Sequence, residues 1–202
     1  AARRRHLEAK LDEAIFDLYG LDESEIDLVR DMCEVGLDFY YNRDESDAVK
    51  RVASSELSPR AGNRDMAPEG PLGDYVRVLI QSWVPYLDAG TELHWGVHLP
   101  RNTSSMLAVV FTIHDIGDIP TETGDPEHAW DDVLRRLDAA MRTPMSSRIY
   151  IEGLARAVSD DGIIIIKRNE RRLWTKTMAR EDAEATLVQA MRRESLVGDG
   201  RS

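Results

Sequence analysis

The chain has 202 residues, 42% hydrophobic and 31% charged, with 26 basic against 37 acidic residues and a formal net charge of −11. This is enough apolar material for one ordinary domain and an appendage, and the acidic balance excludes a uniformly basic nucleic-acid binder while leaving room for a local basic patch. A single cysteine, Cys33, excludes an internal disulfide and a Cys-rich zinc site, and reads as a small buried hydrophobe. No stretch reaches the roughly 18 apolar residues of a membrane span. The basic start AARRRH lacks the apolar run of a signal peptide, so the cytoplasm is the expected compartment.

The first elements form a helix pair. Leu7, Leu11, Ile15 and Leu18 recur at helical spacing and give the first helix an apolar stripe. Gly20 stands where a helix end favours a left-handed residue. Asp22 and Glu25 have capping-box spacing, flanked by Leu21 and Ile26 as a hydrophobic staple. The second helix continues through Ile26, Val29, Met32 and Cys33. Residues 1–42 are therefore a helical pair, and residues 43–73, rich in Pro, Gly, Ser, Asn and Asp, a connector in which SDAVKRVASSEL has room for a short helix.

The remainder, 74–202, reads as one domain. GDYVRVLIQSWVPYLDAG predicts a helix packed through Val76, Leu79, Ile80 and Trp83. TELHWGVHL and SSMLAVVFTI predict two strands joined by PRNT. An acidic loop follows, then a helix PEHAWDDVLRRLDAAM with Pro126 in its first turn. SRIYIEGLARAV and GIIIIKRNE predict a hairpin around SDDG, and a last helix runs from about Thr177 to Glu194. The class is α+β: an N-terminal helical hairpin, then an antiparallel sheet of about four strands covered by helices.

The stretch IIIIKRNERRLWTKTMAR inverts the local charge. Six basic residues lie between Lys167 and Arg180 against one acid, Glu170. Guanidinium forks match phosphate oxygens and an exposed indole stacks on a base, so Lys167, Arg168, Arg171, Arg172, Trp174, Lys176 and Arg180 are candidate contacts to DNA. The competing reading pairs these cations with the acidic loop from Asp115 to Asp132, which carries seven acids and no Lys or Arg.

Other constellations carry less. His94 and His98 share a strand face about 13 Å apart, too far for one metal ion, and read as semi-buried histidines. Asp115, Asp118, Glu122 and Asp125 miss the EF-hand spacing and read as a solvated loop. A restriction-nuclease motif needs an acid two positions before the strand lysine; Ile165 stands there, and Glu152 on the neighbouring strand does not complete the motif. No Gly-rich phosphate loop, serine elbow or Cys/His pair at useful spacing occurs. No catalytic or metal-binding residue is expected.

LDEAIFDLYGLDESEIDLV, through Leu11, Asp12, Leu18, Tyr19, Gly20, Leu21, Glu25 and Ile26, resembles a segment near the C-terminal end of large N6-adenine DNA methyltransferases of restriction–modification and phage-defence systems (type IIG-like). KRNERRLWTKTMAREDAEATL, through Arg171, Arg172, Trp174, Thr175, Arg180 and Asp182, is similar to a tail element of such defence proteins. With no methionine before its first helix, the chain is expected to be the tail of a larger protein, its helix pair closing a preceding module. The resemblance implies S-adenosylmethionine as cofactor of a full-length parent that methylates adenine at a specific site. The Gly-containing cofactor loop and Asn-Pro-Pro-Tyr-like tetrapeptide are missing here, so no cofactor is expected in this chain and it cannot methylate DNA alone.

The leading expectation is a non-catalytic C-terminal module that contacts duplex DNA through its backbone, or docks another defence-system subunit, beside a methyltransferase core. The alternative is a protein–protein module without nucleic-acid contact; a degenerate restriction nuclease comes third. No membrane partner is expected.

Overall fold

The computed structural model describes residues 2–53, 61–100, 105–113, 126–141 and 148–199. Helix α1 (Ala2–Tyr19) ends at Gly20, whose φ of +65° lets the Leu21 N–H donate to Phe16 O and the Gly20 N–H to Asp17 O, both at 3.1 Å. Helix α2 (Glu23–Asp31) opens on the expected capping box: Asp22 Oδ1 accepts from the Glu25 N–H, and Glu25 Oε2 accepts from the Asp22 N–H, each at 2.9 Å. A π-helical stretch, Met32–Gly36, joins α2 to α3 (Leu37–Asn42).

The connector is more structured than its composition suggests. A short 3-10 turn, Arg43–Glu45, precedes SDAVKRVASSEL and a second, Asp47–Val49, occupies its start; residues 54–57 of that stretch lie outside the described residues. Strand β1 (Ala61–Gly62) then adds a two-residue edge to the sheet, which the Pro- and Gly-rich sequence does not announce.

Helix α4 (Pro71–Trp83) is followed by β2 (His94–His98) and β3 (Met106–Thr112), as expected. Residues 101–103 of the turn PRNT and most of the acidic loop fall outside the described residues. Helix α5 (Pro126–Met141) starts at its proline. SRIYI, expected as strand, instead contains the short helix α6 (Ile149–Glu152), which ends at Gly153 with φ +70°. Strand β4 (Leu154–Ser159) begins only after that left-handed residue, and β5 (Gly162–Arg168) follows. Helix α7 (Lys176–Asp199) closes the fold.

The sheet order is β1-β2-β3-β5-β4, every neighbouring pair antiparallel. Strands β3 and β4 both flank β5 and so run parallel to each other, which demands a crossover that a tight turn cannot supply. α5 and α6 lie on that crossover, between β3 and β4 in the chain. The β4–β5 hairpin turns on Asp160 and Asp161, with Ser159 paired to Gly162. Gly162 has φ +145°, and a Cβ there would sit 1.9 Å from Phe111 O, so only glycine lets β3 pass this close.

Side-chain alternation divides the interior into two layers. Leu107, Val109 and Phe111 of β3 and Ile163 and Ile165 of β5 face α4 and α7, where Val76, Leu79, Ile80 and Trp83 meet them. Met106, Ala108, Val110, Ile164 and Ile166 face Trp130, Val133 and Leu137 of α5. The run of isoleucines is continuous because β5 is covered on both faces.

Candidate functional site

Among the described residues, the buried charges Lys167, Asp182 and Asp27 gather at the junction between β5 and α7. Lys167 follows Ile163 and Ile165 on the same strand face, so its side chain is directed under α4 and α7 rather than outward. It is 2% exposed, and Trp174 beside it is fully buried. Lys167 Nζ is ion-paired with Asp182 of α7, donates to Leu173 O at 3.0 Å, and lies 5.2 Å and 5.4 Å from the ring centroids of Tyr75 and Trp174. Asp182 also accepts from the Tyr75 hydroxyl and from Arg156 Nε at 2.6 Å. The Trp174 indole donates to Arg168 O at 2.9 Å.

Burial pushes the Lys167 ammonium below its ordinary pKa, opposed by the Asp182 charge. Burial, reinforced by the same carboxylate, raises the Tyr75 phenol well above its usual value. A tyrosine, a lysine and an aspartate in contact could exchange protons with a substrate, but Tyr75 and Asp182 are completely buried. This cluster fixes the docking of α4 and α7 on the sheet. Two of the seven expected DNA contacts, Lys167 and Trp174, are thus corrected to interior positions.

The other five reach the surface in part, each beside a carboxylate. Arg168 and Arg172 approach Glu170 at 4.0 Å and 2.8 Å, and the Arg172 guanidinium also stacks 4.6 Å over Phe39. Arg171 approaches Glu34 at 3.6 Å. Lys176 and Arg180 grip the two oxygens of Asp27 at 3.0 Å and 2.7 Å, and that carboxylate is 3% exposed. Asp31 Oδ2 accepts from the Thr177 N–H at 2.8 Å, placing a negative charge on the first turn of α7. Asn169, between these cations, accepts from the Val52 and Ala53 N–H groups and donates to Ala53 O, fastening the connector.

The partners of the basic strip are therefore Asp27, Glu34, Glu170 and Asp182. The acidic loop proposed from sequence lies outside the described residues except at its end, where Asp132 pairs with Arg135 at 3.4 Å. Asp27, Asp31 and Glu34 recur at helical spacing, an acidic stripe legible in the sequence but overlooked beside the apolar one.

This polar docking turns the apolar face of the helix pair outward. On α2 and the π-helical stretch, Leu28 and Met32 are exposed, and Cys33, expected inside, is exposed too. The π-helical stretch departs from the 3.6-residue period by which the second helix was expected to continue through Met32 and Cys33, and Val35 is the residue buried there. On α1, Phe16 packs inward beneath Arg30, whereas Leu7, Leu11, Ile15 and Leu18 are 57%, 60%, 41% and 81% exposed. Tyr40 and Tyr41 of α3 are exposed as well.

His94 and His98 lie on the sheet face covered by α5. Burial of His98, helped by Arg136 and opposed by Asp132, lowers its pKa to about 4, and its Nδ1 has no hydrogen-bond partner. Among the described residues no group of three His, Cys, Asp or Glu side chains could hold a metal ion, and no helix is long and apolar enough to cross a membrane. Glu152, weighed as a nuclease acid, ends α6 on the surface and pairs with Arg148 at 2.5 Å.

No protein-family model matches this chain, and comparison with curated proteins and with solved structures gives no match either.

Proposed function

We propose that this chain is a protein–protein interaction module that presents the apolar face of its N-terminal helices to another protein, in the cytoplasm. One observation carries the reading. Every cation of the 167–180 strip stands beside a carboxylate of its own chain, while Leu11, Leu18, Leu28 and Met32 stand in solvent. A backbone-contacting DNA surface needs cations free to displace counterions from phosphate; an interaction surface needs clustered apolar side chains on a rigid support. The setting suggested by the residue pattern of α1 and α2, beside an adenine methyltransferase core in a defence system, is where such a partner would be sought.

Duplex DNA titrated against the whole chain at low salt should show no saturable binding by fluorescence anisotropy. Tagged protein recovered from its native cells should bring down a defined partner that is lost on Leu11→Glu or Met32→Glu. Salt-dependent duplex binding, abolished in a still-folded Arg171→Ala/Arg172→Ala/Lys176→Ala variant, would replace this reading with the DNA-contacting one.

A further inference from the structure

The outward face of α1 has the form of a pairing seam. Leu7, Leu11, Ala14 and Leu18 are spaced four, three and four residues apart, the a/d alternation of a coiled coil, and all four are exposed. Phe16 is directed the opposite way, into the body of the protein. The helix therefore has one face committed to its own chain and one left without a partner in it. At 18 residues it is about 27 Å long, enough for a few layers of packing.

Charge identifies what would cover it. The first half of the helix, ARRRHLEAK, carries four Lys or Arg residues and one acid; the second half, LDEAIFDLY, carries three acids and no Lys or Arg. A copy lying parallel would set like charge on like. A copy lying antiparallel sets each basic half against an acidic half, twice over, as two-fold symmetry requires. The same antiparallel register stacks Leu7 on the partner's Leu18 and Leu11 on the partner's Ala14. It brings Lys10, flanking the seam, beside the partner's Asp17 on both sides of the axis. Arg4 is held along its own helix by Glu8 at 2.8 Å and leaves this arrangement unobstructed.

We infer that the partner of the α1 face is a second copy of this chain, joined antiparallel through Leu7, Leu11, Ala14 and Leu18 and registered by reciprocal Lys10–Asp17 pairs. The inference rests on the interaction-module reading and names its partner.

Sedimentation equilibrium or light scattering on the full chain, under reducing conditions so that Cys33 cannot cross-link copies, should show a mass twice 22.8 kDa that falls on dilution. Leu11→Glu, at an exposed position, should leave the circular dichroism unchanged and give the monomer mass. Lys10→Asp and Asp17→Lys should each weaken the dimer at least tenfold, and the double swap Lys10→Asp/Asp17→Lys should restore it, since the reciprocal pairs re-form with signs exchanged. A dimer that survives Leu11→Glu, or a double swap no better than either single variant, overturns the proposal. So does a chain that is monomeric at every concentration. If that monomer still captures a different protein through Leu11 and Met32, the interaction-module reading stands; if it captures none, both fall.

Discussion

Replacing Asp182 by leucine should be the most damaging single change in the β5–α7 junction. The substitution leaves the Lys167 ammonium, almost wholly enclosed, with only Leu173 O and two aromatic faces for company. Breaking a buried ion pair by removing one partner costs about 3–5 kcal/mol. The Tyr75 hydroxyl, also buried, loses its acceptor, which adds roughly 1–3 kcal/mol. Arg156 is a quarter exposed and can turn to water, so its share is under about 1 kcal/mol. These terms overlap, and a total of about 4–6 kcal/mol is expected, comparable with the whole stability of many domains. For a chain of this size that lowers Tm by roughly 10–20 °C. Urea unfolding followed by circular dichroism at neutral pH measures it directly. The companion variant Lys167→Met/Asp182→Leu removes both charges and should recover most of the loss, because an apolar pair of similar volume often replaces a buried ion pair at little cost. A loss below about 1 kcal/mol for Asp182→Leu, or a double variant as unstable as the sum of the singles, would refute the account of this cluster.

Further expectations concern pH, the helix pair and the hairpin. His98 has a folded pKa of about 4 against 6.5 in the unfolded chain, so between these values the unfolded state binds the extra proton; stability falls as pH drops through this window, by at most about 3 kcal/mol, and His98→Phe should flatten the acid limb of a urea-midpoint profile. Asp27→Ala leaves Lys176 and Arg180 without their shared acceptor; both are about a third exposed, so a cost of roughly 1–2 kcal/mol is expected, with faster amide exchange confined to α2. Gly20→Ala forces a side chain to φ +65° and should cost about 1 kcal/mol in chemical denaturation. Gly162→Ala sets a methyl group against the backbone of Phe111 and should prevent the native near-ultraviolet spectrum from forming.

How far these features were readable from the residues depended on their range. The turn at Gly20 and the cap at Asp22 were plain because both rest on contacts within five residues of chain. The strands of β2, β3 and β5 followed from runs of apolar residues, and α4 from Val76, Leu79, Ile80 and Trp83. SRIYI misled because its β-branched and aromatic residues suit a strand, while Gly153 ends a helical turn just before β4 starts. The basic strip misled for a different reason. Charge in a sequence reads as surface, although Lys167 continues the inward row of Ile163 and Ile165 at the spacing of two. Its partner Asp182 is fifteen residues away, on an element whose packing only the fold determines. Alternation along β5 contained the clue; the rarity of buried lysine outweighed it.

The way the helix pair is fastened also has a consequence for synthesis. Asp27 and Asp31 meet Lys176 and Thr177 across 149 and 146 residues of chain. At roughly 5–20 residues per second, the ribosome completes the anchoring turn of α7 some 7–30 s after α2 has emerged. During that interval Asp27 is hydrated, and Phe16 and Val35, buried in the finished fold, are offered to whatever passes beside the side chains that stay exposed. The nascent chain is then at its most adhesive, and a holdase chaperone bound to α1 or α2 should leave only after the last helix has been made.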